Sequence, residues 1–283
     1  MKTRLLIYFH LLFFLLKECV YQVGCTSTIK INTNQVRVDV VTSNKTGTFK
    51  RFWQNTGMSA PGPGRMTVDY LTSRTQKINL ALIGALPFRA IAHVRIHWLL
   101  DLISVRQVSE KIVYNFKTLD KFVSWLNQND LYIGFELMGN PGGVFTDLGK
   151  NASQFEMWKE LVYTIASKYK DKYGLSEIKR WRFETWNEPD LKIYNRLNFD
   201  LKGYLNYVQA SKEGLNKCSS KLRLSGPAGL FKEKHNHHLC WGLLNHCENQ
   251  IIQNNSCYID TITFHKKRKW FCYKDGGRKF TTV

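Results

Sequence analysis

Runs rich in β-branched and aromatic residues recur near Phe52, Val94, Tyr132, Arg180, Leu222 and Ile259, with stretches of helix-like apolar spacing between them. Five such stretches stand out: 73–86, 117–129, 154–170, 201–217 and 239–250. Phe155, Trp158, Leu161, Val162 and Ile165 show the pattern most plainly, because they fall on one face of a helix. A stripe of that kind is core, not a cofactor site. Strand and helix thus alternate with a period of roughly forty residues, which predicts an α/β fold built on a parallel sheet.

The remaining composition narrows the setting. The 283 residues have room for one large domain or two small ones. Lys2 and Arg4 precede an uncharged apolar run from Leu5 to Leu16, too short to span a bilayer and matched to a secretory signal, so residues 1–24 are expected to be removed. Sequons at Asn44, Asn151 and Asn254 suit an exported chain, as does pairing among its seven cysteines, whose connectivity the sequence leaves open. Cys240 and Cys247 are each open to bonding or to simple burial. The net charge of +19 favours polyanionic partners: sulfated glycosaminoglycan, nucleic acid or anionic membrane.

The segment RWRFETWNEPD carries the most specific chemistry. Asn187 can hold a hydroxyl, Glu188 is a carboxylic acid, and Pro189 lacks a backbone donor and ends strand pairing, so Glu188 is expected to project from a strand end. RFETWNEPD and FELMGNPGGVFTD both resemble the α-L-iduronidase family, glycoside hydrolase family 39. RFWQNTG, VRIHWLLDLI, GYLNYVQASKEGL, LRLSGPAG, LCWGLLNHC and IDTITFHKK resemble it in the same order, from about Lys50 to Lys267.

The resemblance implies a (β/α)8 TIM barrel and retaining glycoside hydrolysis, in which one carboxyl gives a proton to the leaving oxygen and a second attacks from the opposite face. It puts the proton donor after strand four and the nucleophile after strand seven. Glu188 follows the fourth run and is read as the acid/base. His97, Asn187 and Lys267 are read as substrate contacts, with Lys267 pairing with a uronate. Six runs do not close eight strands, since two further units would need roughly eighty more residues. The expectation is a barrel truncated after about six βα units, with the nucleophile absent and the chain inactive as it stands.

Two other carboxylates need roles. Glu184 is set too deep in the strand for retaining geometry and is expected to pair with an Arg such as Arg95; Glu136 ends strand three and is read as structural. His265 and Lys266 are read as part of a solvated basic run with Arg268 and Lys269. The family's Pro-Pro-Leu-Pro-His loop is replaced by Ala60-Pro61-Gly62-Pro63-Gly64, so its substrate-binding His is Gly64 here. A zinc site among His235, His237, His238, Cys240, His246 and Cys247 is not expected, because the spacing fits no common finger pattern.

The expected organisation is a signal (1–24), an N-terminal segment (25–49), a partial barrel (50–267) and a divergent basic tail (268–283). The expected function is removal of terminal α-L-iduronate from dermatan or heparan sulfate, in the lysosome or outside the cell. Neither cofactor nor metal is expected, and glycosaminoglycan, rather than nucleic acid or a membrane, is the expected partner. The alternatives are a non-catalytic glycosaminoglycan-binding glycoprotein and a xyloside hydrolase of the same family.

Overall fold

The computed structural model describes Gly47 and residues 53–266 apart from residue 110. The signal, the Asn44 sequon, Lys267 and the basic tail lie outside the described residues. The chain divides into units 1–50 and 51–283, and every element below belongs to the second.

In chain order the elements are β1 (Asn55–Met58), α1 (Arg65–Leu71), α2 (Arg74–Gly84), β2 (His93–Ile96), β3 (Ser104–Val108), β4 (Lys111–Asn115), α3 (Lys117–Gln128), β5 (Tyr132–Glu136), α4 (Ala152–Tyr173), α5 (Leu175–Ile178), β6 (Arg182–Glu184), α6 (Leu201–Cys218), β7 (Leu224–Gly229), α7 (His238–Ile252) and β8 (Thr261–Phe264). Six strands form one sheet in the order β1-β2-β5-β6-β7-β8, and each pairs parallel with its neighbour. With helices between successive strands, this is the alternating α/β pattern of a (β/α) barrel carried through six units. All five expected helices are present, within a few residues of their anticipated ends.

Local chemistry sets the helix starts. Ser73 caps α2 by accepting from Gln76 N, Asn151 caps α4 by accepting from Ser153 N and Gln154 N, and Asp200 caps α6 by accepting from Gly203 N. The α4 stripe of Trp158, Leu161, Val162, Ile165, Ala166 and Tyr169 is fully buried. Trp158 also donates from Nε1 to Ser211 Oγ at 2.9 Å, tying α4 to α6 without leaving a buried N–H unpaired.

Two features were not anticipated. β3 and β4 form an antiparallel hairpin in the connection after β2. Its residues are largely exposed, so it lacks the buried face that makes an isolated strand legible. β6 ends at Glu184 and does not run on to Glu188, which lies four residues further along in a left-handed conformation with φ 43°. Glu188 nevertheless stays attached to the sheet: its N–H donates to Ala228 O at 3.0 Å. The pairing register of β7 with β8 shifts between Pro227 and Gly229, and Ala228 itself has φ 52°.

Candidate active site

β2, β5 and β6 lie side by side, and the register Arg95↔Gly134↔Arg182 brings distant parts of the sequence level. Two residues further up, Glu136 faces Glu184. Gly134 makes this possible, because a Cβ there would sit 2.7 Å from Arg95 Cα. Arg95 is the hub. Its Nη2 lies 2.5 Å from Glu136 Oε1 and donates to Asn187 Oδ1 at 3.1 Å, while its Nε donates to Glu184 Oε2. His97 Nδ1 is 2.6 Å from the other Glu136 oxygen. His97, Asn187, Glu136 and Glu184 are all buried.

The electrostatics follow from this crowding. Burial opposes the Arg95 charge, but Glu136 and Glu184 outweigh it and hold the guanidinium above its ordinary pKa. Glu136 is wholly enclosed. Burial is the largest influence on it and pushes its carboxyl up, with Arg95 and His97 pulling back without cancelling the shift. Glu184 and Glu136 therefore serve an internal charge network, as the sequence suggested for Glu184. Glu136, read from the sequence as structural, has no exposed surface.

Glu188 is held from three sides. His265 Nδ1 lies 2.7 Å from its Oε1, its backbone is fixed by Ala228, and Asp190 anchors the turn just beyond it. The buried Asp190 carboxylate accepts from Leu239 N at 2.7 Å and Cys240 N at 3.1 Å, capping α7 from outside that helix. Cys240 is buried beside it, so burial first and Asp190 second push its thiol up. Cys247 is bonded to Cys257, not to Cys240.

Tyr194 completes this end of the sheet. Its ring is 6.1 Å from that of His97, and its carbonyl accepts from Trp186 Nε1 at 2.8 Å. Burial, then Glu188 and Glu136, raise the Tyr194 phenol. Glu188, Asn187 and His97 are thus brought together around Arg95, Tyr194 and His265. Lys267 lies outside the described residues, two positions beyond His265.

The loop after β1, where the family His is replaced, is held by Asp101. Its Oδ2 accepts from Gly64 N at 2.7 Å and its Oδ1 from Asn140 N at 2.8 Å, joining the loops that follow β1, β2 and β5. Burial raises the Asp101 carboxyl and these two bonds pull back. Gly64 has φ 65°, which an L side chain adopts only with strain.

Sequence reading missed His265, Tyr194 and Asp101. His265 was legible in one respect: it immediately follows β8, at the strand end where barrel sites collect. Its flanking lysines masked that signal. Tyr194 acts from a turn and Asp101 from a single 3-10 turn, Leu99–Leu102, both too short for periodicity to mark them.

The model of glycosyl hydrolases family 39 matches residues 36–274. The chain belongs to that family. Among relatives of this family 39 chain, mouse α-L-iduronidase is 43% identical over 220 residues, which cover 76% of this chain and 34% of the mouse protein. Drosophila melanogaster α-L-iduronidase is 37% identical over 261 residues, covering 86% of this chain and 39% of its own length. The solved structure of a bacterial orthologue of human α-L-iduronidase superposes with a TM-score of 0.66 at 30% identity, over 77% of this chain and 34% of that one. The family 39 chain therefore spans little more than a third of the length of these relatives.

Proposed function

We propose that this chain carries the proton-donating half of a retaining α-L-iduronidase site, directed at terminal iduronate of dermatan or heparan sulfate in the lysosome or outside the cell. The observation that carries the reading is Glu188, beyond the C-terminal end of β6, with its carboxyl 2.7 Å from His265 Nδ1 in a chain 43% identical to mouse α-L-iduronidase. Glu188 is the acid/base: it gives a proton to the glycosidic oxygen as the bond to the anomeric carbon breaks, then takes one from water when the glycosyl intermediate is released. His265 positions that carboxyl and exchanges hydrogen-bond partners with it as its proton leaves and returns. Asn187, fixed by Arg95, and His97, fixed by Glu136, contact sugar hydroxyls, and Lys267 pairs with the uronate carboxylate.

The opposing nucleophile is a second carboxylate about 5–5.5 Å from the acid in retaining enzymes. Glu136 and Glu184 are the other carboxylates of this network, and both are committed to Arg95. Neither is available to attack carbon. Among the described residues of this network no carboxylate is therefore free to serve as nucleophile, and no turnover is expected from the 283 residues alone. The test is a fluorogenic α-L-iduronide offered to this polypeptide and to a version extended by the segment that follows in the mouse protein. The extended form should release fluorophore and lose at least about a thousandfold of that rate in Glu188→Gln. Turnover by the 283 residues alone, or an extended Glu188→Gln form that stays active, would overturn the proposal.

A further inference from the structure

The end of the sheet opposite Glu188 carries a second concentration of chemistry. Arg89 precedes β2, Arg180 precedes β6 and Arg182 opens it, and all three are exposed. Arg89 and Arg180 gather round Tyr132, the first residue of β5, and Arg182 lies on the neighbouring strand, level with Gly134. The Arg89 and Arg180 guanidinium carbons lie 5.1 and 5.2 Å from the centre of its ring, and Arg180 also donates to its hydroxyl. His93 packs 5.2 Å from the same ring, and its Nε2 lies 3.1 Å from Arg180 O. Burial, then the charges of Arg182 and Arg89, hold the His93 imidazole below its ordinary pKa, so these cations share one electrostatic neighbourhood.

None of the three arginines forms an ion pair among the described residues. Arg89 donates to the backbone carbonyl of Asp130 at 2.8 Å, and the Asp130 carboxylate pairs with neither it nor its neighbours. Some basic groups elsewhere in this chain are matched: Lys212 and Arg223 share Asp260, Lys217 meets Glu160, and Lys168 meets Asp120. Three uncompensated guanidinium groups in one neighbourhood, two of them on a single ring, repel one another. Arg89 and Arg180 each make one side-chain bond that ties strand ends together, and Arg182 has no such bond among the described residues, so the cluster keeps cationic capacity for an external anion. Guanidinium forks bind sulfate and carboxylate oxygens in pairs, which a point-like ammonium cannot do.

We propose that Arg89, Arg180 and Arg182 form a docking surface for a sulfated polysaccharide, separate from the Glu188 site and at the other end of the sheet. The choice of polysaccharide over other polyanions rests on the glycosidase reading above, and the cluster itself supplies the anion chemistry. A polymer held here raises the local concentration of its own chain ends near the opposite face.

The test uses the full chain and a heparin-derived octasaccharide, with affinity measured by calorimetry from 0.05 to 0.3 M NaCl. Arg182→Glu, the variant least tied into the fold, and Arg89→Ala/Arg180→Ala/Arg182→Ala should each weaken binding on the order of tenfold or more at 0.15 M salt and flatten the salt dependence. Lys150→Glu, a charge reversal at the opposite end, should leave both unchanged, and thermal melting of each variant confirms folding. Equal affinity in wild type and Arg182→Glu would overturn the proposal, as would equal losses in Lys150→Glu. Arginine-dependent capture by phosphatidylserine vesicles or single-stranded DNA without octasaccharide binding would also overturn it. The readout is binding, so failure of iduronide turnover leaves this result intact.

Discussion

Replacing Arg95 with Met keeps the length and apolar stem of the side chain but removes the charge shared by Glu136, Glu184 and Asn187. Glu136 has no exposed surface, and the side chain of Glu184 is 11% exposed, so neither carboxylate can turn to water without moving the strands. Breaking a buried pair from one side costs about 3–5 kcal/mol, because the stranded charge keeps its desolvation penalty. For a domain of this size that is roughly 6–20 °C in Tm.

The pH dependence distinguishes this cause from loss of packing. Glu136 already has a folded pKa above its ordinary 4.5, so the fold favours its protonated form. That contribution is fully present below 4.5 and is lost as pH rises through the higher folded value. Without Arg95 the folded value climbs further and the window extends upward. Urea denaturation should show the deficit of Arg95→Met larger at pH 7 than at pH 5, with Arg95→Met/Glu136→Gln recovering part of it. A deficit below about 1 kcal/mol at pH 7, or one that grows on acidification, would refute the reasoning.

Asp190→Ala should cost about 1–2 kcal/mol in urea denaturation, since it leaves two backbone N–H groups at the start of α7 without their acceptor. Its effect on an active extended form should exceed what the lost stability explains, because Asp190 lies two residues from Glu188. Cys247→Ser/Cys257→Ser should lose about 2.5–3 kcal/mol by the loop-entropy estimate for a separation of 10 residues, measured by thermal melting under oxidising conditions. An unchanged Tm in that variant would show the bridge to be dispensable.

The sheet was legible because a parallel strand buried on both faces leaves a nearly unbroken apolar run, as in residues 132–135, while β2 showed itself by the alternation of Val94 and Ile96 with polar neighbours. The long helices were legible from their stripes. Within the site, the pairing of Arg95 with Glu184 could be argued from charge and strand depth alone. His265 could not be. Its contact with Glu188 joins residues 77 apart in sequence, and it depends on how β7 and β8 set their heights. The same holds for Tyr194, whose place is fixed by Trp186 and His97. Glu188 was expected at a strand end, and it lies four residues beyond the last residue of β6, because pairing stops at Glu184 while Pro189 alone was the stop the sequence showed.

The irregularity in β7 has a consequence for how this chain tolerates change. The Ala228 carbonyl accepts from Glu188 N, while Ala228 N donates to Thr263 Oγ1 at 3.1 Å. The acid is therefore placed by main-chain atoms, and the side chain at 228 contributes no chemistry. What that position must supply is a torsion angle. Glycine meets the requirement with less strain than alanine, whereas valine or isoleucine would resist it. Substitution there would act as a geometric dial on the proton donor, silent by chemical type and legible only in the backbone.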